Sequence, residues 1–102
     1  MKIGMAAPDA NQLDLAATMF SALAEPSRLR LLLSLTEKEA SVSELSAATG
    51  DKLSTVSARL GVLHKARLVA RRRDGKSIIY SLADHHVLSL VSNAVDHACE
   101  DH

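Results

Sequence analysis

Hydrophobic positions recur along almost the whole chain, and the interval between them changes where the elements change. From Asp9 onward, Leu13, Ala16, Ala17, Phe20 and Leu23 fall at helical spacing and predict a first helix that packs in a core or against a second copy of the chain. Pro26 suits the first turn of a second helix, where its missing N–H would have no partner anyway. The run SRLRLLLSL then predicts burial of Leu29, Leu32, Leu33 and Leu35, with Arg28 and Arg30 as surface charges. Ser41 and Ser43 are cap candidates for a short helix that stops at Gly50. After Asp51 and Lys52, LSTVSARLGVLHKARL is helical again, with Val56, Leu60 and Leu63 inward. The period then shortens. LVARRR and KSIIYSL have strand composition and partial alternation, and Asp74-Gly75 between them predicts a hairpin turn. The tail, DHHVLSLVSNAVDHACEDH, returns to helical spacing at Val87, Leu90, Val91, Ala94 and Ala98.

The pattern predicts a mainly α chain of about five helices with a small β-hairpin. Residues 1–102 form one domain, with 1–8 as a mobile arm. Two short helices across a tight turn, the second polar and basic at its start, make a helix-turn-helix. Ser54, Thr55, Ser57, Ala58 and Arg59 lie on the early turns of that second helix. Small hydroxyl side chains allow close approach to base edges, and arginine bonds guanine or phosphate. Exposed serine and threonine are common in any helical bundle, so the hairpin carries more weight. Arg71, Arg72, Arg73 and Lys76 gather at its tip, as in the wing of a winged helix that meets phosphates beside a groove.

Composition sharpens this picture at three points. The chain is 47% apolar, but Phe20 and Tyr80 are its only Phe or Tyr residues and it has no Trp, so the core is aliphatic. A chain this small gains from burying a face in a dimer. Net charge is zero, yet seven of the twelve Lys and Arg lie between Arg59 and Lys76, opposed there only by Asp74. A local basic patch speaks for nucleic acid more than the total charge does. Cys99 is the single cysteine, which excludes an intrachain disulfide and suits a reducing cytoplasm. No apolar run approaches the roughly 20 residues a membrane helix needs, and no signal-peptide pattern is present.

The tail also holds four of the five histidines and no Lys or Arg. On a helical wheel His86 and His97 fall about 20° apart, but roughly 16 Å separates them along the axis. One helix cannot bring both to one ion, since a metal–nitrogen bond is about 2 Å. Two antiparallel copies about a twofold axis would bring Asp84 and His86 of one chain to His97 and Glu100 of the other, giving two equal four-ligand sites. These oxygen and imidazole donors suit zinc and its neighbours. On residues alone a plainer account stands beside this one: Asp84 caps the helix and the histidines occupy a solvated face.

These segments together resemble the ArsR/SmtB family of metal-sensing winged-helix repressors, from about Leu13 to Glu100. LAEPSRLRLL resembles the family's second helix, ELSAATG and LSTVSARLGVLHKARLV its helix-turn-helix, and RRRDGKSIIYSL its wing. DHHVLSLVSNAVDHACE resembles the last helix of the zinc-sensing branch. The resemblance implies that Asp84, His86, His97 and Glu100 are metal ligands across a homodimer. It also implies a repressor that binds double-stranded operator DNA, an imperfect inverted repeat, when metal-free and leaves it on binding Zn2+. In such relatives the second ring nitrogen of the last-helix histidine donates to a main-chain carbonyl after the recognition helix, here His97 to the carbonyl of Arg67.

Departures from the family pattern narrow the effector. ELSAAT has no cysteine and residues 1–8 have neither Cys nor His, so the thiolate sites of other branches are not available. Co2+ or Ni2+ on the same fold is one alternative, although the arm offers little for a six-coordinate ion. A redox regulator acting through Cys99 is another; it would need an intersubunit disulfide or a small adduct. His85 and His102 have no assigned role. A metal-dependent hydrolase is disfavoured, because four protein ligands leave no open position and no nucleophile–base pair is evident.

Overall fold

The structure, a computed structural model, describes residues 7–100. Most of the expected arm and His102 lie outside the described residues. Helix α1 spans Ala10–Leu23, α2 Pro26–Glu37, α3 Val42–Thr49, α4 Leu53–Lys65 and α5 His85–Cys99. The strands are β1 (Ala40–Ser41), β2 (Val69–Asp74) and β3 (Ser77–Leu82), in sheet order β1-β3-β2.

Local chemistry fixes the helix ends. Asp9 and Gln12 form a reciprocal capping box on α1, and Ser41 and Glu44 form another on α3. Glu25 accepts from the N–H groups of Ser27 and Arg28 ahead of Pro26. Gly50 ends α3 with φ +78°, a left-handed conformation that costs glycine no Cβ clash. α4 ends differently: Leu68 N–H donates to the Leu63 carbonyl at 2.9 Å, with Arg67 between them at φ +63°. That closure turns the chain from α4 directly into β2.

The hairpin turn sits one residue later than Asp74-Gly75 predicts. Asp74 still pairs with Ser77, so Gly75 and Lys76 form the two-residue loop. Only Gly75 has positive φ there, +64°, which matches the type II′ turn with glycine first. β1 is an addition to the expected hairpin. Ala40 and Ser41 pair with Tyr80 and Ile79, which ties the start of α3 to the wing.

One aliphatic cluster joins the elements: Leu31, Leu32 and Leu35 of α2, Leu45 of α3, Val56, Leu60 and Leu63 of α4, Leu68 and Val69, Tyr80, and Val87 and Val91 of α5. Two readings of α2 need correction. Leu31 is buried where Leu33 was expected, and Leu29 is only half-buried. The inward arc of the helix is centred on Leu31, Leu32 and Leu35, with Leu29 and Leu33 on its flank. Arg28 is not a plain surface charge either. Its Nε donates to the Ala22 carbonyl at 2.7 Å and Nη2 to the Ser21 carbonyl at 3.3 Å, closing the C-terminal end of α1.

An apolar groove remains open between α1, α2 and α5. It is lined by Phe20, Leu23, Leu29, Leu90, Val91 and their neighbours, with a volume near 250 Å³. Phe20 is 61% exposed and Leu13 57% exposed in the single chain. Large apolar side chains this open on adjoining helices mark an interaction surface rather than ordinary solvent-facing helix.

Candidate metal centre and nucleic-acid interface

The donor residues of α5 form two separate pairs, one at each end of the helix. At the start, Asp84 is the N-cap: Oδ1 accepts from the N–H of His86 at 2.9 Å and of Val87 at 3.2 Å. The same oxygen lies 3.5 Å from His86 Nδ1. The Val87 N–H, opposed by partial desolvation and joined by the His86 N–H, holds the Asp84 carboxyl below its ordinary range. It is therefore an anion at neutral pH. At the far end, His97 Nδ1 lies 3.5 Å from Glu100 Oε2. Glu100 has left the helix, with φ −62° and ψ 143°, and this extended step brings its side chain back toward His97.

All four side chains face outward, from 57% exposed at Asp84 to 93% at His86. Among the described residues, no group of three or more such donors gathers within one chain. The four expected residues thus lie in two separate pairs, each an imidazole beside a carboxylate. Two such pairs from different chains would give the mixed nitrogen and oxygen set that zinc accepts. His85, which has no role in the sequence reading, stands edge-on to the His86 ring with centroids 5.9 Å apart. Cys99 is exposed at the end of α5, about 200° around the helix from His97.

The DNA-facing candidates divide in a way the sequence did not indicate. Along α4, Val56, Leu60 and Leu63 are buried, while Ser54, Ser57 and Ala58 are exposed and Thr55 and Arg59 are half-buried. Leu53, not singled out from sequence, opens the helix at 54% exposure. Arg59 Nη1 is bonded to Asp51 Oδ2 at 2.8 Å. Asp51 is itself fixed, since its carbonyl accepts from Ser46 Oγ and its N–H donates to Thr49 Oγ1. α1, α2, α3 and α5 carry side-chain caps, whereas Lys52 at the start of α4 makes no such bond.

On the wing, strand alternation splits the arginine triplet. Arg71 and Arg73 share the face of Tyr80 and Ile78, while Arg72 shares that of Ile79 and Ser41. Arg72 pairs with Glu39, just before β1. The four charges of the hairpin are thus divided between its faces: Lys76 sits in the loop, Arg71 and Arg73 line one side, and Arg72 is held on the other. The signal was in the sequence as consecutive strand positions, but Glu39 could not be known to face them.

Comparison with known proteins follows the same outline. Residues 25–71 match the family described as bacterial regulatory protein, arsR family. The chain is 46% identical over 96 residues to a transcriptional repressor SmtB homolog of Synechocystis, covering 91% of this chain and 73% of that protein. It is 43% identical to the transcriptional regulator KmtR of Mycobacterium tuberculosis, over 89% of this chain and 69% of the other. In structure it is similar to the homodimeric winged helix-turn-helix DNA-binding domain of a possible ArsR-family regulator from Mycobacterium bovis. The TM-score is 0.83 at 35% identity, covering 99% of this chain and 96% of that one.

Proposed function

The chain belongs to the arsR family of bacterial regulatory proteins, and from that premise we propose that it is a zinc-released repressor. The chain is a DNA-binding transcriptional repressor that acts as a homodimer, and its relatives are regulators rather than enzymes. Among the described residues no helix is long and apolar enough to cross a membrane. We read residues 1–102 as one domain working in the cytoplasm.

The likeness to SmtB-type repressors implies a metal effector. Zinc at intersubunit sites is the reading the donors favour, and one observation carries it. α5 presents an imidazole–carboxylate pair at each end, too far apart to serve one ion within a chain. Antiparallel pairing of two α5 helices brings Asp84 and His86 of one protomer to His97 and Glu100 of its partner. When bound, zinc supplies a double positive charge that favours the ionised carboxylates and neutral imidazoles.

The residues of the chain do the rest. Asp84 is already ionised and fixed by its cap bonds, so its second oxygen is the one free to ligate. His97 offers one ring nitrogen to the site and the other to the main-chain carbonyl of Arg67, at the exit of α4. That bond would couple the sensing helix to the DNA-reading helix. Linkage then sets the sign: an ion that favours the dimer of low DNA affinity must weaken DNA binding, and DNA must weaken ion binding equally. On the DNA side, Ser54, Thr55, Ser57, Ala58 and Arg59 would face bases, while Arg71, Arg73 and Lys76 would face phosphates. Arg72 would join them on leaving Glu39.

The test is the affinity of the dimer for its operator with and without saturating zinc, at one fixed salt concentration. Zinc should lower that affinity at least several-fold. An unchanged affinity with two zinc ions bound would remove zinc as the effector.

A further inference from the structure

Arg59 begins in an unpromising place for reading bases. It is the seventh residue of α4, on the flank of the buried stripe formed by Val56, Leu60 and Leu63. In helix-turn-helix proteins the first residues of the recognition helix touch base edges. A long side chain on a helix already leans toward the preceding turn. Asp51 extends that lean. It stands before the first turn of α4 and takes Nη1 of Arg59 at 2.8 Å, drawing the guanidinium back toward the helix start.

The rest of the turn makes Asp51 a firm anchor. Ser46 holds its carbonyl and Thr49 its N–H, so both sides of its peptide backbone are tied to α3. The pair is also half-exposed rather than sealed, with 26% of the Arg59 side chain and 38% of Asp51 open. Arg59 has five N–H donors in a rigid fork. Among the described residues its guanidinium makes no hydrogen bond other than that to Asp51. The remaining edge is therefore available to a second planar acceptor.

We propose that Asp51 is a positioning residue for sequence reading, which aims the free edge of Arg59 at the O6 and N7 atoms of a guanine. This rests on the assignment of α4 as the recognition helix. The carboxylate has a second consequence. It cancels the charge of Arg59 toward phosphates, so the pair adds little to binding that ignores sequence. Arg59 then contributes to discrimination more than to total affinity.

The experiment starts by selecting the preferred duplexes of the metal-free dimer from a random-sequence pool. Affinity for the selected operator and for random duplex is then measured at fixed salt for the parent, Asp51→Asn, Arg59→Ala, Arg59→Lys and the double variant Asp51→Asn/Arg59→Ala. The expected result is about a tenfold fall in the operator-to-random ratio for Asp51→Asn. Its random-duplex affinity should be equal or higher, because a negative charge has gone. The double variant should be no worse than Arg59→Ala. Arg59→Lys, which keeps the charge pair but not the fork, should also lose the ratio, and it carries the test should Asp51→Asn not fold. A ratio unchanged in Asp51→Asn, with lowered thermal stability as the sole effect, would make the pair a staple of the turn and overturn the proposal. So would loss of the ratio in Arg59→Ala without loss in Asp51→Asn. If the parent dimer selects no duplex at all, the assignment of α4 as the recognition helix fails, and the role of Asp51 in sequence reading falls with it.

Discussion

Asp84 Oδ1 accepts the main-chain N–H of His86 at 2.9 Å and lies 3.5 Å from Nδ1 of the same residue. One carboxylate thus caps α5 and accompanies a candidate ligand. Asparagine caps about as well as aspartate, whereas alanine costs on the order of 1 kcal/mol. We expect Asp84→Asn, which still caps but lacks the charge that those N–H groups favour, to lower the denaturation midpoint of the metal-free protein slightly at neutral pH, and Asp84→Ala to lower it further. Both should bind zinc more weakly, as read by competition with a chelator. Equal metal-free stability of the two variants would mean that the cap contributes nothing.

Zinc should bind as two ions per dimer with nitrogen and oxygen ligands alone. X-ray absorption on the zinc form should then lack a zinc–sulfur shell near 2.3 Å. A clear sulfur shell would make Cys99 a ligand and break the four-residue set.

His97 and Arg67 should respond differently to substitution. His97→Gln would keep a weakened ligand and delete the bond to the Arg67 carbonyl, so zinc should bind without releasing DNA. At Arg67 the proposed contact is main chain. Arg67→Gly should therefore leave zinc release intact and raise stability by about 1 kcal/mol, because φ +63° opposes any Cβ. Operator affinity with and without saturating zinc, together with denaturant midpoints, reads both. Release by zinc in a zinc-loaded His97→Gln dimer would send the signal by another route.

The wing charges should separate by strand face. Alanine at Arg71, Arg73 or Lys76 should weaken operator and random DNA alike and flatten the salt dependence by about one unit each. Arg72→Ala should do less, because Glu39 already offsets that charge. Equal slopes for all four variants would mean that the Glu39 pair opens freely on DNA.

Acid should weaken the capping box of α3. The Ser41 N–H, then the Ser41 hydroxyl, hold Glu44 below its ordinary 4.5. A folded-state value below the unfolded one contributes stability above about pH 4.5, lost as pH falls through the lower folded value. Glu44→Gln, which can still complete the box, should be slightly less stable than the parent at pH 7. The two should converge as pH falls through that lower folded value, as equilibrium denaturation on the acid side of 4.5 will read. A gap that widened toward acid would contradict the assignment.

Much of this protein was legible from its sequence because the signals are local. Capping at Ser41, the stop at Gly50, the stripe of Val56, Leu60 and Leu63 and the two ends of α5 each depend on residues within a few positions of one another. β1 was not legible, because a two-residue strand has no period and acquires its identity from Tyr80 and Ile79. The hairpin turn was misplaced by one residue, since Asp-Gly signals a turn without stating which residue still pairs.

The sequence by itself determined which residues of α5 carry donors and which face of α4 is buried, since helical geometry converts spacing into direction. It also determined that His86 and His97 cannot share an ion within one chain. Only the tertiary structure decided which charges are engaged. Asp51 meets Arg59 by the path of the turn, and Glu39 meets Arg72 because β1 joins the wing. An ion pair needs two groups within about 4 Å, and across 33 residues of chain only the packed fold sets that distance.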